Sequence, residues 1–181
     1  TCLSGCFTGV VWFGKTPDRT RDVAVLQDMT GQYVRVDGAS QKAYLAIGVE
    51  SLAWSPDGAR LAYPARVAGG WVLVTDGAEG PVVDGIGEVV WSADGKHIAY
   101  AAERKGRWLV VRDGKEAPSL ESLRARSLRF SQDGEHLAYV GDEDRKVVAV
   151  VDGVKSTPYE AIGHLIFGAG GRVAFAARRG G

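Results

Sequence analysis

The stretch LAWSPDGARLAY, from Leu52 to Tyr63, decides the fold of this chain. Two short apolar runs flank Ser-Pro-Asp-Gly, and the pattern returns as VVWSADGKHIAY from Val89 and as LRFSQDGEHLAY from Leu128. Pro56 presets the backbone for a type I turn, and Gly58 can take the left-handed conformation that closes a hairpin. Because turn formers recur and no reactive group does, we interpret the stretch as a copied folding unit rather than a copied active site.

The whole chain repeats with a period of about 37 to 39 residues, which is the range of propeller blades. Each repeat has an aromatic residue at the end of its first strand, a second strand with a constant alanine, and a third strand that ends in Asp-Gly. A weaker fourth strand is predicted to lead into Ile-Gly, ending at Gly48, Gly87 and Gly163. The sequence therefore predicts an all-β fold, a β-propeller of four-stranded blades with four full repeats and a partial fifth.

The predicted organisation is an N-terminal tail at 1–9 followed by a single propeller domain at 10–181. The repeats are expected near 10–48, 49–87, 88–125, 126–163 and 164–181. Two of them depart from the pattern, with a longer loop, GKTPDRTRD, at 14–22 and with ESLRAR at 121–126 in place of Ile-Gly. The partial fifth repeat has strands only from Leu165 and from Val173. Its apolar edge is expected to be covered by the N-terminal segment, by a second copy of the chain or by further residues.

Composition and motifs reduce the number of function classes that fit this chain. The 22 Lys and Arg residues balance 22 Asp and Glu residues, so no global field favours nucleic acid. Neither a Gly-x-Ser-x-Gly nucleophile motif nor HExxH nor an EF-hand loop occurs. His97 and His136 occupy the same repeat position and are expected to be solvent-facing residues at strand starts. The sequence thus predicts a chain that is not an enzyme, with no metal or cofactor and with a protein or peptide partner.

The motif WSPDGARLAY and its cognates resemble the WD-repeat-like propeller motif of TolB-type proteins. The same motif occurs in the propeller domains attached to prolyl-oligopeptidase-type peptidases. The resemblance covers roughly 10–177 and implies a propeller, but not a role, because propellers host unrelated functions. Four full repeats are fewer than the blades that those families usually have.

The two cysteines, Cys2 and Cys6, lie in TCLSGC at the N-terminus. LSGC, at 3–6, resembles a bacterial lipobox, in which the cysteine is acylated, and this implies an exported protein anchored to the membrane through Cys6. Such a protein would reside in the bacterial cell envelope or periplasm. The alternative is an ordinary tail with a local Cys2–Cys6 disulfide.

Propeller geometry indicates where a binding site would lie. The loops that lead into the inner strands gather on one face around the central channel. This face offers four residues near the starts of inner strands: Glu50, Glu88, Arg126 and His164. They either form a binding site or solvate the mouth of the channel, and no enzyme class follows from them.

Three functions fit these observations. The first is an exported, non-catalytic propeller that binds or scaffolds a protein or peptide, with homo-oligomer formation through the incomplete fifth blade as an additional expectation. The alternative is the propeller portion of a larger peptidase-type hydrolase whose catalytic domain lies outside this chain. The third is an enzyme that acts on a small ligand at the mouth of the channel.

Overall fold

The computed structural model describes residues 9–180, so the predictions on Cys2 and Cys6 lie outside the described residues. Backbone contacts divide the chain into two compact units, Thr1–Val82 and Val83–Gly181. Apart from two 3₁₀ turns, Val49–Ser51 and Ala169–Gly171, the regular structure in the described part is β-strand. The all-β prediction is confirmed. Within the same residues, no helix has the length and apolar character that crossing a membrane requires.

The first unit contains two antiparallel sheets. The first sheet is formed by β1 (Gly9–Lys15), β2 (Asp22–Asp28), β3 (Gly31–Val36) and β4 (Ala39–Ser40). The second sheet is formed by β5 (Ala46–Ile47), β6 (Ala53–Trp54), β7 (Leu61–Val67), β8 (Gly70–Thr75) and β9 (Ala78–Glu79). Because β5 and β6 both pair with β7, they are two pieces of one interrupted inner strand.

The second unit contains two further sheets and the start of another. The third sheet is formed by β10 (Gly85–Trp91), β11 (Ile98–Arg104), β12 (Arg107–Arg112) and β13 (Lys115–Glu116). The fourth sheet is formed by β14 (Ser122–Leu123), β15 (Arg129–Phe130), β16 (Leu137–Glu143), β17 (Lys146–Val151) and β18 (Val154–Lys155). The last strands pair as β19 (Ala161–Ile162) with β22 (Ala177–Arg178) and as β20 (Ile166–Phe167) with β21 (Val173–Ala174).

The fourth strand lies elsewhere than predicted. In each of the four complete sheets it is a two-residue segment directly after the Asp-Gly turn, as where Val36 pairs with Ala39. The Ile-Gly residues instead begin the inner strand of the following sheet, since Ile47 pairs with Ala65. In the third repeat Leu123 starts the inner strand of the fourth sheet, so ESLRAR serves the same purpose without the isoleucine. The fourth strand was misplaced because both segments are short, and neither shows the alternation of apolar and polar residues that marks a strand.

The Ser-Pro-Asp-Gly stretch forms the turn between the inner and second strands. Gly58 has a φ of +68°, and its N–H donates to the Ser55 carbonyl at 2.8 Å. The buried Ser55 hydroxyl donates to Asp57 at 2.5 Å and accepts the Arg60 N–H at 2.9 Å. The same bonds recur at two equivalent turns: Ser92 with Asp94, and Ser131 with Asp133. The turn satisfies its buried hydroxyl internally, which accounts for its repetition on folding grounds.

The long loop predicted for the first repeat contains the same turn in another spelling. Thr16 is buried and its hydroxyl donates to Asp18, as the serines do elsewhere. The Arg19 N–H donates to the Thr16 carbonyl at 2.8 Å, and Arg19 has a φ of +60°. A residue other than glycine in this left-handed region is uncommon, so the sequence pattern concealed the equivalence.

The core of each unit lies between neighbouring sheets. In the first unit, Tyr63 of the second sheet packs in one cluster with Val25 and Val34 of the first. In the second, third and fourth sheets the constant alanines of the second strands, Ala62, Ala99 and Ala138, have no exposed surface. A small side chain at this position lets the sheets pack closely within a unit.

Candidate functional site

The four predicted site residues share one structural feature, an irregularity in the inner strand. Glu50 lies in the 3₁₀ turn between β5 and β6, Arg126 lies between β14 and β15, and His164 lies between β19 and β20. Glu88 lies where the register of β10 against β11 shifts. Glu50 belongs to the first unit and the other three residues to the second, so the predicted clustering of all four stays a prediction.

A cavity of about 430 Å³ in the second unit brings Arg126 and His164 together. Arg124 and Arg129 add two guanidinium groups to its lining, and none of its described lining residues is acidic. We call it the basic cavity. Its walls also include the apolar side chains of Val140, Ile162 and Leu165. The arrangement attracts a negatively charged group that has an apolar neighbour.

The loop that carries Arg126 is held to the fourth sheet. The Ser127 hydroxyl donates to the Arg124 carbonyl at 2.7 Å and accepts the Val140 N–H at 3.2 Å. Arg124 forms an ion pair with Asp142 at 3.0 Å. Arg126 has a φ of +58°, a left-handed backbone that costs on the order of 1–3 kcal/mol in a residue other than glycine. Several hairpin turns of the described chain have the same backbone, so the loop is a candidate for ligand contact because it lines the cavity.

Glu88 differs from the expectation of an exposed mouth residue. It is half-buried, and its carboxylate accepts the Leu128 N–H in a long hydrogen bond of 3.4 Å. Burial raises the pKa of Glu88, against the opposing effects of the Leu128 and Arg126 N–H groups and of the nearby Arg129 charge. The carboxylate therefore ties β10 to the loop that lines the basic cavity, and its first role is structural.

A second cavity, of about 450 Å³, lies within the second unit and was not foreseen from the sequence. Tyr139, Ala117 and Leu137 are among its lining residues, and we call it the Tyr139 cavity. Tyr139 is 1% exposed, and its hydroxyl has no hydrogen-bond partner among the described residues. Burial raises the pKa of Tyr139 to about 12, so the hydroxyl keeps its proton at neutral pH.

The two equivalent histidines lie directly before β11 and β16, where their side chains are partly exposed and each contacts a carboxylate. His97 Nδ1 lies 2.7 Å from Asp113, and His136 Nδ1 lies 2.7 Å from Asp152. The aspartates are those of the Asp-Gly turns, which the sequence identified only as turn formers. The signal for this pairing was the constant spacing between the strand start and the following Asp-Gly.

Comparisons with known proteins bear on the fold. No family model matches this chain, and none of the curated proteins compared with it does. TolB from Acinetobacter baumannii is similar in structure, with 17% identity and a TM-score of 0.49, over 91% of this chain and 48% of that one. The periplasmic gluconolactonase of Pseudomonas aeruginosa matches with 17% identity and a TM-score of 0.46, over 94% and 57%. Hydrazine synthase from Kuenenia stuttgartiensis matches with 16% identity and a TM-score of 0.48, over 91% and 54%.

The chain therefore spans about half the length of the solved structures that it matches. Its structural neighbours are TolB-like propeller proteins, so the predicted resemblance is confirmed at the level of the fold.

The prediction that this chain is not an enzyme is wrong. A gluconolactonase is among the proteins that share its fold, so this architecture does not exclude catalysis. The inference failed because the absence of a few nucleophile and metal motifs rules out only the enzyme classes that use them.

Proposed function

We propose that this chain belongs to a propeller that binds an acidic segment of a protein or peptide partner at the basic cavity. The observation that carries the proposal is the convergence of Arg126, Arg129 and His164 on one cavity of about 430 Å³, to which Arg124 is also held by its ion pair with Asp142. Guanidinium groups bind carboxylates through paired hydrogen bonds, which supply orientation as well as attraction.

Two features of the cavity favour a peptide over a free anion. Ile162 and Leu165 lie beside the arginines, so an apolar side chain next to the acidic one would also be buried. The loop of Arg126 is fixed by Ser127, which limits the ordering that binding requires. Nucleic acid is not favoured, because the whole chain has no net charge.

The proposal also includes the sequence predictions about the extent of the binding face, the location of the protein and its self-association. Glu50 would extend the binding face if residues 10–181 form one propeller domain. Export to the periplasm, anchoring through a lipidated Cys6 and self-association through the partial fifth blade complete it. The LSGC motif supports the anchor.

The binding test uses a fluorescein-labelled decapeptide of alternating Glu and Leu, with a Lys-Leu counterpart as the ligand control. The Arg126→Glu/Arg129→Glu double variant should weaken binding of the acidic peptide by about tenfold or more in fluorescence anisotropy. The melting temperature should change little, because both side chains are exposed.

A matched control is the Arg172→Glu variant, which alters an exposed arginine that does not line the basic cavity. Specific binding predicts a small effect of this change. Equal losses in both variants, or equal binding of the acidic and basic peptides, would show that the cavity is not the binding site.

A further inference from the structure

The Tyr139 hydroxyl is one of two buried side-chain polar atoms, with Trp54 Nε1, that have no hydrogen-bond partner among the described residues. It lies within the core cluster of the second unit, beside Leu137 and Val150. An unsatisfied buried hydroxyl is costly, and native structures seldom keep one without a reason. The repeated architecture allows the reason to be sought by comparison with an equivalent residue.

Tyr63 is that equivalent in the first unit, and its hydroxyl has a partner. Tyr63 Oη donates to Gln41 Oε1 at 2.7 Å, and the two residues are 22 positions apart. Ala117 precedes Tyr139 by the same separation. The Gln41 N–H donates to the Val34 carbonyl at 2.8 Å, and the Ala117 N–H donates to the Val110 carbonyl at 2.8 Å. Gln41 and Ala117 therefore have equivalent backbone positions in their sheets.

The second unit therefore has an alanine where the first has the glutamine that satisfies the tyrosine. Ala117 and Tyr139 both line the Tyr139 cavity, so the cavity lies on the side of the tyrosine where the first unit has the glutamine amide. The space is part of a cavity of about 450 Å³, within the range of small-molecule sites.

The cavity combines an apolar wall with a rim of mixed charge. Val110, Leu137 and Pro118 supply the apolar surface. On the rim, His97 is bonded to Asp113, and Arg112 donates to the Glu135 carbonyl at 2.8 Å. The lining also includes Lys115, Glu116 and Asp152, so it carries charges of both signs and favours neither an anion nor a cation.

We propose that the Tyr139 cavity binds a small uncharged molecule that has an apolar ring and one hydroxyl or carbonyl oxygen. That oxygen forms the hydrogen bond with Tyr139 Oη that Gln41 supplies to Tyr63, and the ring covers Val110 and Leu137. The site shares no lining residue with the basic cavity, so it is independent of the proposed function.

The test is isothermal titration calorimetry of the full chain with p-cresol, and with toluene as the ligand that lacks the hydroxyl. One molecule of p-cresol should bind per chain, and toluene should bind about tenfold more weakly. Tyr139→Phe should lower the affinity for p-cresol to that for toluene. Ala117→Gln should abolish binding of both, because the new amide occupies the space and bonds to the tyrosine.

Tyr63→Phe is the matched control, since it removes the same atom from a tyrosine that already has a partner. It should leave the p-cresol affinity unchanged, and circular dichroism should show that all three variants are folded. The proposal is overturned if p-cresol does not bind at one site, or if Tyr139→Phe and Ala117→Gln bind it as the unaltered chain does.

Discussion

Tyr63 in the first unit and Tyr139 in the second occupy the same place in the second strand, yet only one hydroxyl is satisfied. Tyr63 bonds to Gln41, whereas Ala117 stands opposite Tyr139. The backbone bonds around both pairs are the same. A single side chain outside the repeated motif thus decides whether the tyrosine hydroxyl has a partner, while the backbone bonds stay the same.

The difference separates two kinds of position within a repeat. The alanine recurs in every repeat, and the tyrosine and the Ser-x-Asp-Gly turn recur in the second, third and fourth sheets, where they serve packing and the hairpin. The residue four places after the Asp of the Asp-Gly turn is Gln41 in one repeat and Ala117 in another. It contributes nothing to the hairpin bonds except its N–H, so it is free to vary and to create a site.

The largest expected effect comes from copying the arrangement of the second unit into the first. Gln41→Ala would leave the Tyr63 hydroxyl buried without a partner. The free energy of unfolding should fall by about 1–3 kcal/mol, the cost of an unsatisfied buried group. Urea unfolding followed by tryptophan fluorescence measures the change.

Removing the hydroxyl itself provides the control. Tyr63→Phe in the Gln41→Ala background should recover much of the loss, because no unsatisfied hydroxyl remains. Tyr139→Phe has no hydrogen bond to lose and removes an unsatisfied buried hydroxyl, so its free energy of unfolding should rise, by up to about 1–3 kcal/mol. If Tyr63→Phe and Tyr139→Phe alone destabilised the chain equally, the contrast between the units would be wrong.

A smaller effect on stability is expected from the turn that both units contain, in which a Ser or Thr hydroxyl donates to an aspartate. The Thr16 hydroxyl bond lowers the pKa of Asp18 to about 2, and the Ser131 hydroxyl bond lowers that of Asp133. A carboxyl group with a lowered folded-state pKa adds stability above its unfolded value of about 3.9, and that stability is lost as the pH falls through the folded value. The melting temperature should therefore decline by a few degrees between about pH 4 and pH 2.

Calorimetry between pH 2 and pH 6 checks this decline. Asp133→Asn keeps an oxygen acceptor but cannot titrate, so its melting temperature should depend less on pH than that of the original chain. An unchanged slope in this variant would show that the turn carboxylate makes no contribution to acid sensitivity.

The strand architecture could be predicted from the sequence because it depends on local, repeated signals. Gly58 and its equivalents marked the turns, and the runs around Tyr63 marked the second strands. The turn at Thr16 escaped detection because Arg19 adopts the left-handed backbone that the pattern assigns to glycine. The outer strands were misplaced because two residues are too few to show a period.

The sites were only partly predictable, since they depend on contacts between repeats. Arg126 and His164 were identified because the repeat period placed them at equivalent inner strands. Arg124 and Arg129 were missed, because only the folded loop directs them to the same cavity. The Tyr139 site required knowledge that Gln41 faces Tyr63, a contact between neighbouring sheets of one unit that no local pattern reveals.

The smallest expected effect concerns the pair at the start of the second strand. In the first unit Arg60 Nε lies 2.8 Å from Asp76, and in the second His136 Nδ1 lies 2.7 Å from Asp152. The hydrogen bond and charge of Asp152 raise the pKa of His136, whereas an arginine stays charged at all ordinary pH values. The histidine pair therefore makes its full contribution below about pH 6.5 and loses it as the pH rises through the raised value.

The His136→Arg variant would give the second unit the pH-independent pair of the first. We expect the original chain to lose at most about 2 °C of melting temperature between pH 5 and pH 8 because of this pair, since exposed ion pairs contribute little. The variant should lose less over the same range. His97 keeps its own pairing with Asp113 in both proteins, so the difference between the two curves isolates His136. Two parallel curves would mean that the His136–Asp152 pair does not stabilise the folded chain, and the contrast with Arg60 would then have no energetic consequence.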